Sequence, residues 1–186
     1  MFTNSLISGM NSIIRAFSWL YHYLFSNTLH GTHSPFVYSF LENVVYQESA
    51  HKDKTIGLLY RIAKTRPNEE VWMIKATGPA LAALSELKNP IQTESTELGN
   101  KMLPIVYFGE RMHPADLLDT YHLLKNRTDS NSVFIFSKIR ETQTRKKVWK
   151  HICKDSKNII SIDLFDTGIL FFDVKKPKEH FKIFYR

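Results

Sequence analysis

Glycine is scarce in this chain, at 7 of 186 residues, and cysteine occurs once, as Cys153. Nucleotide pockets use glycine where backbone must come close to phosphate or ribose, so this shortage argues against a glycine-rich cradle. A single cysteine excludes an internal disulfide framework and suits a reducing, cytoplasmic compartment. Cys153 follows an apolar helix position with no CxxC partner and reads as a buried or half-buried thiol. No stretch approaches the ~20 apolar residues of a spanning helix, so no transmembrane segment is expected. The start shows no charged region, clean apolar run and small-residue cleavage site of a secretory signal. Ser137 has no Gly-x-Ser-x-Gly surroundings and is not a nucleophile candidate. Repeats and low-complexity tracts are also missing.

What is present supports a real core: 43% of residues are hydrophobic and 13% aromatic. The length suits one domain with a helical extension, divided here as 1–50 and 51–186. The formal charge is +7 and uneven. From Arg145 onward, eleven Lys and Arg face five Asp and Glu, a surplus of six. Such a face suits nucleic acid or an acidic partner. A solvated helix and a lysine-rich loop is the simpler account, because no aromatic–basic motif accompanies it.

Leu6, Ile7, Met10, Ile13, Ile14, Phe17, Leu20, Tyr21 and Leu24 recur at helical spacing, which predicts an amphipathic helix over 5–25 packed on the domain. Ser34-Pro35 reads as an N-cap and first helical residue, opening a helix over 35–46 with Phe36, Val37, Phe40, Leu41, Val44 and Val45 buried. A third helix is expected over 54–65, ended by Pro67-Asn68. From Val71 the pattern alternates: strand 71–75, helix 78–88, strands 90–94 and 104–108, helix 114–125, strand 132–136, helix 141–153, then strands 158–164, 168–173 and 180–185. Alternation implies a doubly wound, mostly parallel sheet covered on both faces. Asp166-Thr167-Gly168 between two apolar runs predicts an antiparallel hairpin near the end.

Two segments are distinctive. One is His30-Gly31-Thr32-His33-Ser34-Pro35-Phe36. The other joins Asp163-Leu164-Phe165-Asp166-Thr167-Gly168-Ile169-Leu170-Phe171-Phe172 to Lys178-Glu179-His180-Phe181-Lys182-Ile183, with Val148-Trp149 on the helix before it. Together they resemble the HGxHSPF segment and the DLFxxG…FF and KxHF signature of a bacterial family of class I S-adenosylmethionine-dependent methyltransferases. The resemblance runs from about residue 15 to the end. It implies a Rossmann-like, methyltransferase-like α/β fold with an N-terminal helical extension, in which strand 71–75 is central.

The same resemblance implies a cofactor site whose residues are largely replaced. After the first strand such enzymes carry an acid and a glycine-rich turn; here Val71 to Pro79 retains Gly78 alone, and Lys75 would repel the cofactor's ammonium. Glu94, closing the second strand, matches the ribose-binding acid. Only Ser95 to Leu103 separates that strand from the next, too few residues for a helical crossover and the adenine-flanking edge strand. Gly109-Glu110-Arg111-Met112 stands where D-G-x-H belongs, with Glu110 one place from the acid's position, and Ser137-Lys138-Ile139 stands where two acids belong. The cofactor-binding candidates are therefore Gly78 and Glu94, with no catalytic residue and no metal ligand nominated. S-adenosylmethionine is implied by resemblance and not expected to bind, and the crevice beside strands 71–75 and 90–94 should hold no well-formed cavity. His30 and His33 suggest a metal only weakly, since no further ligands lie near; a histidine bonded to turn carbonyls, with Phe36 anchored in the core, is the simpler reading.

The resulting expectation is a non-catalytic methyltransferase-like protein, a pseudoenzyme acting as partner subunit or adaptor. The alternatives are an active divergent methyltransferase using Glu94 and Glu110, and a basic nucleic-acid-binding module. The partner itself, a protein or a second copy, is not legible.

Overall fold

The computed structural model describes residues 2–27, 33–92, 101–155, 160–172 and 177–185, with side chains omitted for 2–11 and 92. Within them the chain is a mixed α/β structure. Helix α1 (Phe2–Leu24) is followed by α2 (Pro35–Phe40), which widens into a π turn over Leu41–Val45, and by α3 (Lys54–Lys64). Then come β1 (Val71–Ile74), α4 (Gly78–Ser85), β2 (Ile91–Gln92), β3 (Ile105–Phe108) and α5 (Pro114–Leu124). The chain continues with β4 (Val133–Phe136), α6 (Gln143–Lys154), β5 (Ile160–Asp163), β6 (Gly168–Phe171) and β7 (Glu179–Lys182). The predicted elements are therefore present, with ends shifted by a few residues.

The helix starts have local causes. Asp53 accepts from the backbone N–H of Thr55 and Ile56 at the head of α3, and Thr142 does the same for Arg145 in α6. Ser34 holds the N-cap position of α2 before Pro35, but its side chain makes no capping bond. At the other end of that helix, the π turn leaves carbonyls that Arg61 satisfies: its Nε donates to Val44 O (2.6 Å) and its Nη2 to Val45 O (3.3 Å).

The seven strands lie in the order β2-β1-β3-β4-β6-β5-β7. β6 is antiparallel to both neighbours, β4 and β5, and the other pairings are parallel. The sheet is thus parallel with one antiparallel strand, and the predicted hairpin is β5–β6. β1 has partners on both sides but is second from an edge, with β4 in the middle. The expectation of a central β1 fails because, among the described residues, only the two-residue β2 lies beyond it on that side.

Alternation divides the core between the faces. Val71, Met73, Ile105, Tyr107, Val133 and Ile135 face α2, α3 and α4. Trp72, Val106, Phe108, Phe134 and Phe136 face α5 and α6. Val37, Leu41, Val44 and Val45 of the second helix belong to the first cluster, so residues 37–45 share the sheet's own core. Phe36 does not anchor there as expected. It is 38% exposed and meets Phe171 edge-on, because the helix turns its neighbour Val37 inward.

Helix α1 also differs from expectation. Its apolar stripe points outward, with Ile13, Ile14, Phe17, Leu20, Tyr21 and Leu24 between 45% and 68% exposed. The opposite face makes the contacts: Arg15 pairs with Asp166, Trp19 and Tyr23 pack on Phe184, and buried His22 bonds Ile183 O. Periodicity located the two faces correctly, but polar and aromatic partners on the sheet side selected the other one. Among the described residues no helix is long and apolar enough to cross a membrane.

Candidate functional site

In open α/β sheets, ligands bind outside the carboxyl ends of the strands, at the point where strand order reverses. Here that point lies between β1 and β3, and the protein fills it. The ladder continues beyond the strands, with Gly109 N–H donating to Ile74 O (2.8 Å) and Ser137 N–H to Phe108 O (3.0 Å). A Cβ on Gly109 would lie 2.6 Å from the carbonyl carbon of Lys75 and 2.8 Å from Cα of Ala76. The loops after β1 and β3 are thus in direct backbone contact, and glycine is what permits it.

Arg145, buried on α6, ties the neighbouring strand ends together. Its guanidinium donates to Met112 O (2.5 Å), Ser137 O (2.8 Å) and Lys138 O (3.1 Å), with a longer bond to Glu110 O (3.4 Å). Glu110 accepts from Tyr107 Oη at 3.1 Å. Burial pushes the Tyr107 phenol far above its ordinary range, so it stays a donor. Lys75 and Lys138, the first and second residues after β1 and β4, both have positive φ, 49° and 54°. The backbone keeps the left-handed shape that glycine favours while the side chains are lysine.

The sequence candidates separate in this frame. Gly78 lies in the exposed first turn of α4, with open space where a Cβ would be, so nothing there demands glycine. Glu94 lies outside the described residues, as does His30, while His33 is exposed. Of the two cofactor-binding candidates, Gly78 is thus the one within the described residues.

A second polar centre, not singled out from sequence, surrounds Asp163 at the end of β5. Its carboxylate is 3% exposed and accepts a bidentate pair from Arg140 (2.5 and 2.6 Å), Trp149 Nε1–H (3.2 Å) and Phe165 N–H (3.0 Å). Burial would raise its pKa, but the Arg140 guanidinium, His22 and the Phe165 amide more than offset that, and the carboxyl lies below the usual range. Trp149 is held over the hairpin because Gly168 has no side chain; a Cβ there would sit 2.6 Å from the indole ring. The DLFxxG segment and the preceding tryptophan thus form one structural unit around a buried ion pair.

Beside it, a cavity of about 550 Å³ opens between α1, α6 and β5–β7. Its walls include His22, Arg140, Lys146, Trp149, Cys153, Asp163 and His180. His180 Nδ1 is 2.8 Å from Ser161 Oγ. Burial pushes the Cys153 thiol up to about 12, so it remains protonated and is no nucleophile. Burial likewise lowers His22, only partly countered by Ile183 O and Asp163, so its imidazole is neutral near pH 7. The signals for this centre were partial. Asp163 and His180 sit inside the quoted signature, but His22 meets Ile183 across 161 residues of chain, which no local pattern reveals.

No protein-family model, curated protein or solved structure matches this chain. Among the described residues, no group of three or more His, Cys, Asp or Glu side chains is placed to hold a metal ion.

Proposed function

We propose that this chain is a methyltransferase-like protein whose cofactor site is degenerate and which acts by binding rather than by methyl transfer. The observation that carries this reading is the closed crevice between β1 and β3, where Gly109 bonds Ile74 O and lies against the Lys75 backbone. A cofactor in that position would have to displace main chain. Arg145 adds to the case, since its donors are committed to carbonyls at the ends of β3 and β4. The parallel sheet with β6 antiparallel agrees with the arrangement that the sequence resemblance implies, and fold alone does not imply activity.

The test is a thermal melt and calorimetric titration with S-adenosylmethionine and its demethylated product. A ligand at 100 times its Kd stabilises the native state by about 2.7 kcal/mol, a shift of several degrees for a chain of this length. No shift is expected, against a cooperative melt that proves the protein folded. A concentration-dependent shift abolished by Glu94→Ala would establish the active-site alternative instead.

A further inference from the structure

We propose that the cavity between α1, α6 and β5–β7 is a binding site for a small phosphorylated anion. It is separate from the closed crevice and does not depend on the methyltransferase-like reading. Its size of about 550 Å³ falls in the usual range for small-molecule sites.

The argument is charge. Lys146, Lys150 and Lys154 recur every four residues and so share one face of α6. Lys182 closes the cavity from β7, its Nζ 5.7 Å from the Tyr21 ring centre. Among the described residues Asp163 is the one carboxylate in the lining, and Arg140 already holds it. Among the described residues none of the four lysines makes an ion pair. Burial, then repulsion from Arg140 and Lys150, holds the Lys146 ammonium below its ordinary pKa, as expected for cations gathered without a counter-ion.

His22, in the cavity wall, is placed to report on occupancy. His22 is 3% exposed, and its Nδ1 is buried with no hydrogen-bond partner. Nε2 lies 3.1 Å from Ile183 O, which can only accept, so Nε2 carries the proton and Nδ1 presents a bare lone pair. Asp163 Oδ1 lies 3.8 Å from Nδ1, beyond hydrogen-bond distance. A small phosphate in the cavity would accept from the four lysines that line it. A cavity of this size favours a small molecule over a nucleic-acid strand lying across the surface.

Inorganic pyrophosphate is the probe. Calorimetry at low salt should show saturable one-to-one binding, and the His22 imidazole resonances should move in step with it. Lys150→Ala with Lys154→Ala should weaken binding by about tenfold or more, the size expected for lost charge-assisted bonds. The charge-matched control, Lys64→Ala with Lys88→Ala on the opposite face of the sheet, should stay within about twofold. All four lysines are on the surface or at its edge, and a cooperative melt confirms that each variant folds. Absence of saturable binding, an unmoved His22, or equal losses in both pairs would overturn the proposal. So would a single-stranded oligonucleotide that displaces pyrophosphate and weakens equally in both pairs, which would mark a general polyanion surface.

Discussion

Gly168 shows how one residue can serve a purpose unrelated to backbone freedom. It opens β6 directly beneath the Trp149 indole, and that indole in turn donates to Asp163. Adding a single methyl group would push the ring off the carboxylate. Gly168→Ala is expected to destabilise the protein by about 1–3 kcal/mol, the usual cost of overpacking a filled site, read as a lower urea midpoint at unchanged slope. Phe165, at φ 74°, belongs to the same unit: its ring lies 5.2 Å from the Arg140 guanidinium and its carbonyl accepts from it (2.7 Å). The signature residues Asp163, Phe165 and Gly168 are accounted for by this packing.

At the scale of elements, α6 is the bridge between the two polar centres. Arg145 points from it to the ends of β3 and β4, Trp149 to the hairpin, and Lys146, Lys150 and Lys154 to the cavity. Its burial pattern is therefore poor in aliphatic residues, with Arg145, Trp149 and Ile152 as the buried positions. Arg145→Met keeps the stem but strands the carbonyls of Met112 and Ser137. Each unsatisfied buried acceptor costs about 1–3 kcal/mol, so a loss of roughly 3 kcal/mol is expected in chemical denaturation. The hydrogen-exchange protection of the 109–113 and 137–139 amides should fall with it, since Arg145 links those two loops.

For the whole molecule, the buried titratable groups set the response to acid. His22 titrates below its ordinary value of 6.5 in the folded state, so the unfolded chain binds its proton first. Its contribution is complete above about pH 6.5 and is lost as pH falls through the lowered folded value. His180 is shifted in the same direction but is exposed, so it adds less. Asp163, held below its ordinary 3.8, adds a second loss at lower pH. Stability should therefore fall in two stages, first on going from about pH 7.5 to 5, then below about pH 4. Urea midpoints across that range check this, and His22→Gln should flatten the first stage while leaving the second.

Local chemistry was enough to read much of the architecture. The period of apolar residues located the helices and strands, and Asp166-Thr167-Gly168 placed the hairpin. These are consequences of backbone geometry and turn preference within a few residues of one another. What only the tertiary structure decided are the choices made between distant segments. Which face of α1 meets the sheet depended on Asp166, Ile183 and Phe184, more than 150 residues away. Asp163 became the hub of a buried ion pair only once Arg140, Trp149 and His22 converged on it. The closed crevice follows from Gly109 meeting the Lys75 backbone across two parallel strands. Periodicity reports that a side chain is apolar or polar, but desolvation and hydrogen bonding with partners far along the chain decide what it touches.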